Sequence, residues 1–492
     1  MAVVTHLLPE GLDLAGARAL IKEHADVTAG RIRAGTSTFY DTFDGRLHGA
    51  GLTLRHTGGK LTLSDRTSGE TLATSPAPAR AEHRLFDHDL AESLNGRLAD
   101  VIEMRALVPV ARVRTREITL GVLNADQKTV VRLNVETHEG LRGRVSASAV
   151  RGYDKELERV DALLADALSL PEATVPLVDE AVAAAGKPPA GTSAKLDLTL
   201  EPEASATSAA AIVFARLLEV IDANFAGTLD DVDSEFLHDL RVAVRRTRSL
   251  QRQFKAIYPE RLAHFREEFK RIQAVTGDLR DLDVYLLDLP ALRASLPAQM
   301  QPDLDPLKTL LETKRARALT QTRRALKAQR TAEALMDWAE FTEAAPKAER
   351  SVISLASHRI SSVYKQMVKM GTAIDDDSPA EDLHELRKVG KELRYLLEFF
   401  ASLYPAEVVK PFVKSLKGLQ DQLGRFQDHE VQANQLRELA PEVKNPMTLM
   451  AMGVLVDRFI KDEALARLEF ADRFAAFASP EQREIVKEHF SR

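Results

Sequence analysis

Cysteine is absent from the 492 residues, so neither disulfides nor thiolate chemistry contribute, which suits a reducing cytoplasm. No apolar run is long enough to span a bilayer. The first 25 residues carry Glu10, Asp13, Lys22 and Glu23 among short apolar runs, unlike a signal peptide. There is no surplus of positive charge either: 67 Lys and Arg stand against 73 Asp and Glu, a formal net charge of −6. Non-specific nucleic-acid binders are usually basic throughout. A polyanion site in this chain therefore has to be local, with positive faces balanced by acids elsewhere. What is present, 45% hydrophobic and 28% charged residues, describes a soluble globular protein of two or three domains.

The sharpest local feature is Phe236–Pro259, FLHDLRVAVRRTRSLQRQFKAIYP. At about 100° per residue, His238, Arg241, Arg245, Arg248 and Arg252 fall within an arc of about 80°. Leu240, Ala243, Val244, Leu250, Phe254 and Ile257 occupy a roughly opposite arc. The spacing predicts an amphipathic helix with an apolar back and a cationic front. Such a row repels itself unless something anionic sits along it. For one helix alone, a solvated basic face explains the pattern as well.

The pattern recurs. Asp382–Pro405, DLHELRKVGKELRYLLEFFASLYP, aligns at a constant offset of 146 residues. His384, Arg387, Lys391 and Arg394 fall under His238, Arg241, Arg245 and Arg248, and Tyr404-Pro405 under Tyr258-Pro259. With one residue inserted, Lys270, Gln273, Gly277, Asp281 and Val284 then match Lys417, Gln420, Gly424, Asp428 and Val431. This is an internal duplication, and a random basic face has no reason to recur with its histidine and spacing intact. The functional reading therefore leads.

The paired H-x-x-R-x-x-x-[RK]-x-x-R helices, each followed by Gly-x-x-x-Asp-x-x-Val, resemble the CHAD family, the conserved-histidine α-helical domain, over about residues 205–492. The resemblance implies an all-α domain of two pseudo-symmetric helical bundles whose basic faces line a shared groove that binds inorganic polyphosphate. It also suggests residence on intracellular polyphosphate granules. The implied contacts are His238, Arg241, Arg245, Arg248 and Arg252 in the first row, and His384, Arg387, Lys388, Lys391 and Arg394 in the second. Lys270 and Arg280, with Lys417 and Arg425, would meet the ligand from the following motif helices. Arg317 and Arg324, which share an arc of a helix between the halves, and Arg359 extend the set. Asp281, Asp283, Asp428 and Glu430 are expected to hold guanidinium planes in place, and Gly277 and Gly424 to permit close helix packing.

Residues 1–185 read as α+β. Ser37–Tyr40, Leu52–His56, Lys60–Leu63, Val110–Leu120 and Thr129–Val135 are β-prone, Gly58-Gly59 marks a hairpin, and Leu90–Glu103 and Glu158–Leu170 look helical. Thr38–Ser64 resembles the opening of the CYTH fold, an antiparallel barrel of triphosphate-processing enzymes. The catalysts of that family begin with a Glu-x-Glu-x-Lys strand, whereas this chain begins MAVVTHLLPEG. After the Gly-Gly turn, Thr62-Leu63-Ser64 replaces a lysine-rich strand, and Asn134 and Glu136 stand near where carboxylates are expected. Mg²⁺-assisted phosphoryl chemistry needs clustered carboxylates, so no catalytic or metal residue is assigned. Arg55, Lys60, Arg112, Arg114 and Arg116 remain as anion ligands for a tunnel. The last three alternate and share one face, either a barrel lining or an exposed strand face. Glu156 and Glu158 fit a solvated helix start better than a displaced metal pair.

Residues 186–203 form a linker, whose LDLTL core makes a short strand or an extended arm. Residues 204–492 read as helical, in halves of about 204–345 and 346–492. Asp230–Glu235 signals the start of the first histidine helix, and Ser378-Pro379-Ala380-Glu381 fits an N-cap with Pro at N1 and Glu at N3 of the second. No HExxH, EF-hand spacing or other metal-ligand set occurs, and no cofactor is expected. The leading expectation is a non-catalytic polyphosphate binder with no membrane partner. The alternatives are a metal-dependent triphosphatase or polyphosphatase in the barrel, or a platform on nucleic acid. The last is weakest, because the basic stripes lack interleaved aromatics. No sequence feature fixes an oligomeric state.

Overall fold

The computed structural model describes residues 3–79, 83–255, 261–343, 350–375 and 377–490. The chain divides into two compact units, Met1–Ser193 and Ala194–Arg492.

The first unit is a curled antiparallel sheet, a half-barrel. Its strands are β1 (Val3–Leu7), β2 (Val27–Ala29), β3 (Arg33–Asp41), β4 (Leu52–Thr57), β5 (Lys60–Asp65), β6 (Thr71–Pro76), β7 (Val108–Leu123), β8 (Thr129–His138) and β9 (Leu141–Ala149). They run in the order β1-β9-β8-β7-β3-β4-β5-β6, with β2 paired to β7. The five expected β-prone runs lie in β3, β4, β5, β7 and β8. Gly58 and Gly59 turn β4 into β5 with φ of 57° and 76°, where glycine pays no steric penalty.

The helices of this unit are α1 (Leu14–Lys22), α2 (Arg46–Gly49), α3 (Glu92–Ile102), α4 (Asp154–Ala162) and α5 (Leu177–Ala184). The helix expected at Glu158–Leu170 thus starts earlier and passes into a π turn at Leu163–Ala167. β7 changes its buried face midway: Ala111, Val113 and Thr115 are buried on one side, Ile118, Leu120 and Val122 on the other. Different covers explain the switch. α5 packs on Ala111 and Val113, while α1 and α4 pack on the later residues. α3 closes a third cluster over Leu54, Leu61 and Leu63.

The second unit is helical: α6 (Ala206–Asp230), α7 (Ser234–Gln253), α8 (Arg261–Val275), α9 (Gly277–Ala294), α10 (Asp305–Leu326) and α11 (Gln329–Glu343) form the first half. α12 (Val352–Thr372), α13 (Ala380–Phe399), α14 (Ala406–Leu439), α15 (Pro446–Leu468), α16 (Phe470–Phe477) and α17 (Pro480–His489) form the second. One core cluster joins α6, α7, α8 and α11 to α12, α13 and α14, so the two bundles share an interior. The LDLTL segment is the extended arm, with Leu200 buried against that core and its N–H donated to Ser402 Oγ at 3.0 Å.

Asp233 caps α7, accepting from the N–H groups of Glu235 and Phe236. The second expected cap is corrected. Pro379, not Ser378, is the N-cap of α13, because the Ser378 hydroxyl is engaged with Asp375 at 2.9 Å.

Candidate functional site

The basic helices are α7 and α13. On α7, Leu240, Ala243, Val244, Leu250 and Phe254 are fully buried, while His238, Arg241, Arg245 and Arg248 are half-buried and Arg252 is exposed. On α13, Leu383, Leu386 and Leu393 are buried behind half-buried His384, Arg387 and Lys391 and exposed Arg394. Ile257 and the Tyr258-Pro259 pair lie outside the described residues.

The two rows meet. Lys391 is pushed down to about 8 by burial, then by the positive charges of Arg387 and Arg245, with Asp428 opposing. Arg245 and Lys391 are equivalent positions of the duplication, 146 residues apart. The charge of one row is thus felt by the other. Direct contacts between the two helices obey a two-fold axis. Arg246 Nη2 lies 2.7 Å from Glu398 Oε2, and Arg252 Nη1 lies 3.9 Å from Glu392 Oε2. Glu392 and Glu398 are the counterparts of Arg246 and Arg252. These are one contact repeated by the pseudo-symmetry.

Arg241 is anchored where the second motif helix breaks. Its Nη1 donates to Gln273 O at 2.7 Å and to Thr276 Oγ1 at 2.8 Å, at the C-terminal end of α8. Orphan carbonyls there favour a cation. Burial lowers the Arg241 pKa, and Asp281 opposes that shift. In the second half α14 runs unbroken, and Arg387 instead donates to Gln427 and, at 3.2 Å, to Asp428 Oδ1. The motif glycines face these guanidiniums: a Cβ at Gly277 would meet Arg241 Nη1 at 3.8 Å, and one at Gly424 Arg387 Nη2 at 3.5 Å. Among the described residues, no atom of another helix lies within 4 Å of either position except these guanidiniums, so the glycines leave room beside an arginine and do not serve tight helix packing.

The remaining residues divide. Arg245, Arg248 and Lys391 have no carboxylate within ion-pair distance among the described residues, and neither do exposed Lys417 and Arg324. The Arg248 pKa is lowered by burial and by Arg252; Arg266 of α8 acts in the same direction. Arg266 is not among the residues the sequence motif marks, although its four-residue spacing from Lys270 is a usable signal. Arg359 donates to Gln253 Oε1 at 2.5 Å and to Glu392 Oε1 at 3.3 Å, placing it beside the row crossing. Arg280 joins the start of α7, bonding Ser234 O and Glu235 Oε1. Others are held by acids: His384 Nε2 lies 2.7 Å from Glu430 Oε2, Arg394 2.7 Å from Glu398 and Arg425 2.9 Å from Glu469. Exposed Lys388 and Lys270 have intrahelical partners, Glu385 and Glu267. Arg317 lines a separate cavity of about 590 Å³ that it shares with Asp278 and Asp281. Of the expected buttresses, Asp283 holds Arg315, outside the rows, at 2.6 Å.

In the first unit, Arg112, Arg114 and Arg116 lie on the exposed face of β7, so the lining alternative is corrected. Arg55 does point into the buried polar cluster, donating to Glu136 Oε1 at 3.0 Å and to Ser37 Oγ. His138 beside them is lowered to about 4 by burial, and Arg144 pairs with Glu180 of α5 at 2.8 Å. These residues do not fit a Mg²⁺ centre. Glu136 is committed to Arg55 and to Asn134 Nδ2, and no group of three or more metal-ligating side chains occurs among the described residues.

Residues 212–437 match the family model for the CHAD domain. The chain carries a CHAD domain. The crystal structure of the CHAD domain from the plant Ricinus communis has the same fold, with a TM-score of 0.50 at 24% identity over 57% of this chain and 94% of that one. PptA from Streptomyces chartreusis matches at a TM-score of 0.44 and 17% identity, over 55% of this chain and 99% of that one. No curated protein matches the sequence. Both basic rows lie inside the matched CHAD region, and the half-barrel before it is consistent with a CYTH-like domain. No helix among the described residues is long and apolar enough to cross a membrane.

Proposed function

We propose that the CHAD domain binds inorganic polyphosphate, without catalysis, along the two rows of α7 and α13. The observation that carries this reading is that α7 and α13, each bearing a cationic row, face each other through the contacts Arg246–Glu398 and Arg252–Glu392. Two like-charged rows on facing helices repel each other, and neither Arg245 nor Lys391 has a carboxylate in ion-pair range among the described residues. An anion threaded between them relieves that repulsion. Arginine suits phosphate because its planar fork donates two bonds to one group. Cations three or four residues apart rise about 4.5–6 Å along a helix, comparable with alternate phosphates on an extended chain. Arg241, Arg248, Arg387 and Arg394 continue the track on either side of the axis. Association with polyphosphate granules follows from the same affinity.

The test is a calorimetric titration of the full chain with polyphosphates of defined length at two salt concentrations. Affinity should fall steeply with salt as counterions are released, and Arg241→Glu with Arg387→Glu should abolish binding while the helical signal persists. Equal competition by duplex DNA would reject polyphosphate as the specific ligand. Phosphate release from tripolyphosphate with Mg²⁺ or Mn²⁺ would reject the non-catalytic reading.

A further inference from the structure

α15 lies beyond the residues matched by the CHAD family model. One side of it is built into the molecule through Thr448, Ala451, Met452, Leu455, Phe459 and Ala466. The opposite side is apolar too. Met447, Met450, Val454, Leu465 and Leu468 are 48%, 59%, 43%, 55% and 71% exposed. Their spacing places them along one stripe, interrupted at its middle by Asp457, Arg458 and Lys461. Scattered exposed apolar residues need no explanation; a stripe running the length of a 23-residue helix does.

We propose that this stripe is a self-association surface on which α15 pairs antiparallel with α15 of a second copy of the chain. The sequence of the stripe is complementary to its own reverse. With a two-fold axis between positions 457 and 458, Met447 faces Leu468 of the second copy and Met450 faces Leu465. Val454 then meets the aliphatic stem of Lys461, and Asp457 meets Arg458, each contact occurring twice as an isologous interface requires. The parallel arrangement sets Asp457 on Asp457 and Lys461 on Lys461, which repel. Insertion into lipid would bury all three central charges. Among the described residues, these charges are held within the helix by the pairs Lys461–Asp457 at 2.6 Å and Arg458–Asp462 at 3.7 Å. A single helix pair is small for an interface, so the dimer should be weak, with Kd on the order of micromolar. Two copies on one long anionic chain would nonetheless gain by avidity.

The test is sedimentation velocity on the full chain from about 1 to 200 µM, spanning the Kd expected for a small interface, without polyphosphate, so that it stands apart from the binding reading. Wild type should pass from monomer to dimer, and Met450→Glu with Leu468→Glu should stay monomeric with an unchanged circular-dichroism spectrum. Because the chain contains no cysteine, single substitutions report the register without background. Asp457→Cys, near the axis, should form a disulfide-linked dimer on oxidation, whereas Leu468→Cys should not. A monomer at every concentration, a dimer indifferent to Met450→Glu, equal crosslinking of both cysteine variants, or co-sedimentation with lipid vesicles would overturn the proposal.

Discussion

The two halves of the CHAD domain descend from one sequence pattern, yet where they touch they have become opposites. Arg246 and Arg252 on α7 correspond to Glu392 and Glu398 on α13, and each arginine faces the counterpart of the other. Had both copies kept arginine, the pseudo-two-fold contact would set like charges together twice. The difference shows that the contact between the halves is stabilised by diverged residues, while Arg245 and Lys391 beside it have both stayed cationic. The halves differ again in how much of each row is free. The second commits His384, Arg387 and Arg394 to Glu430, Asp428 and Glu398, whereas Arg245 and Arg248 in the first have no carboxylate within ion-pair distance among the described residues.

The largest expected effect tests whether the centre is shared. Arg245→Glu and Lys391→Glu should each weaken polyphosphate binding by about 100-fold or more, and the double variant should cost less than the two combined, because one phosphate segment contacts both. If Lys391→Glu binds normally while Arg245→Glu does not, the halves hold separate ligands. Next comes the diverged contact. Arg246→Glu should destabilise the domain by about 2–4 kcal/mol in urea unfolding, and adding Glu398→Arg should restore more than half of it. Arg252→Glu, at the longer and more exposed copy of the contact, should cost less than about 1 kcal/mol.

The third effect is on pH. Burial and the neighbouring cations push Lys391 down to about 8 from the usual lysine value of 10.5. A bound polyanion favours its charged form and raises that pKa, so binding takes up a proton at pH values above about 8. Affinity should therefore be highest below pH 8 and fall as pH rises through it, by up to about tenfold per unit. Lys391→Arg should remove the dependence. The same depressed pKa makes Lys391 a liability to folding below pH 8 that fades as pH rises toward 10.5. The smallest effect separates the motif glycines. Gly424→Ala, inside an unbroken helix, should raise stability by about 0.5–1 kcal/mol and lower affinity only a few-fold. Gly277→Ala, at the first position of α9, should stabilise less. Thermal melts paired with titrations distinguish the two.

Much of this was legible beforehand. A helical period with five cations on one side and Leu240, Val244 and Leu250 on the other leaves one way to bury α7, and its repetition in α13 marks the pair. The fate of individual charges was not legible. His384 with Glu430 and Arg425 with Glu469 are pairs between residues 44 to 46 positions apart, on different elements or at the end of a different helix, and spacing along one helix says nothing about them. Arg112, Arg114 and Arg116 were bound to share a face of β7, but which face α5 would cover depends on packing. The Ser378 cap failed for a local reason, since its hydroxyl found Asp375 first.

The sequence by itself determined the apolar backs, the cationic fronts and their doubling, because side-chain direction on a helix follows from residue number alone. Only the tertiary structure decided which of those cations meet each other and which are answered by the chain's own carboxylates. That outcome depends on interhelical distances of a few ångströms, over which Coulomb energies change sign with the neighbour and no repeat along the chain prescribes them.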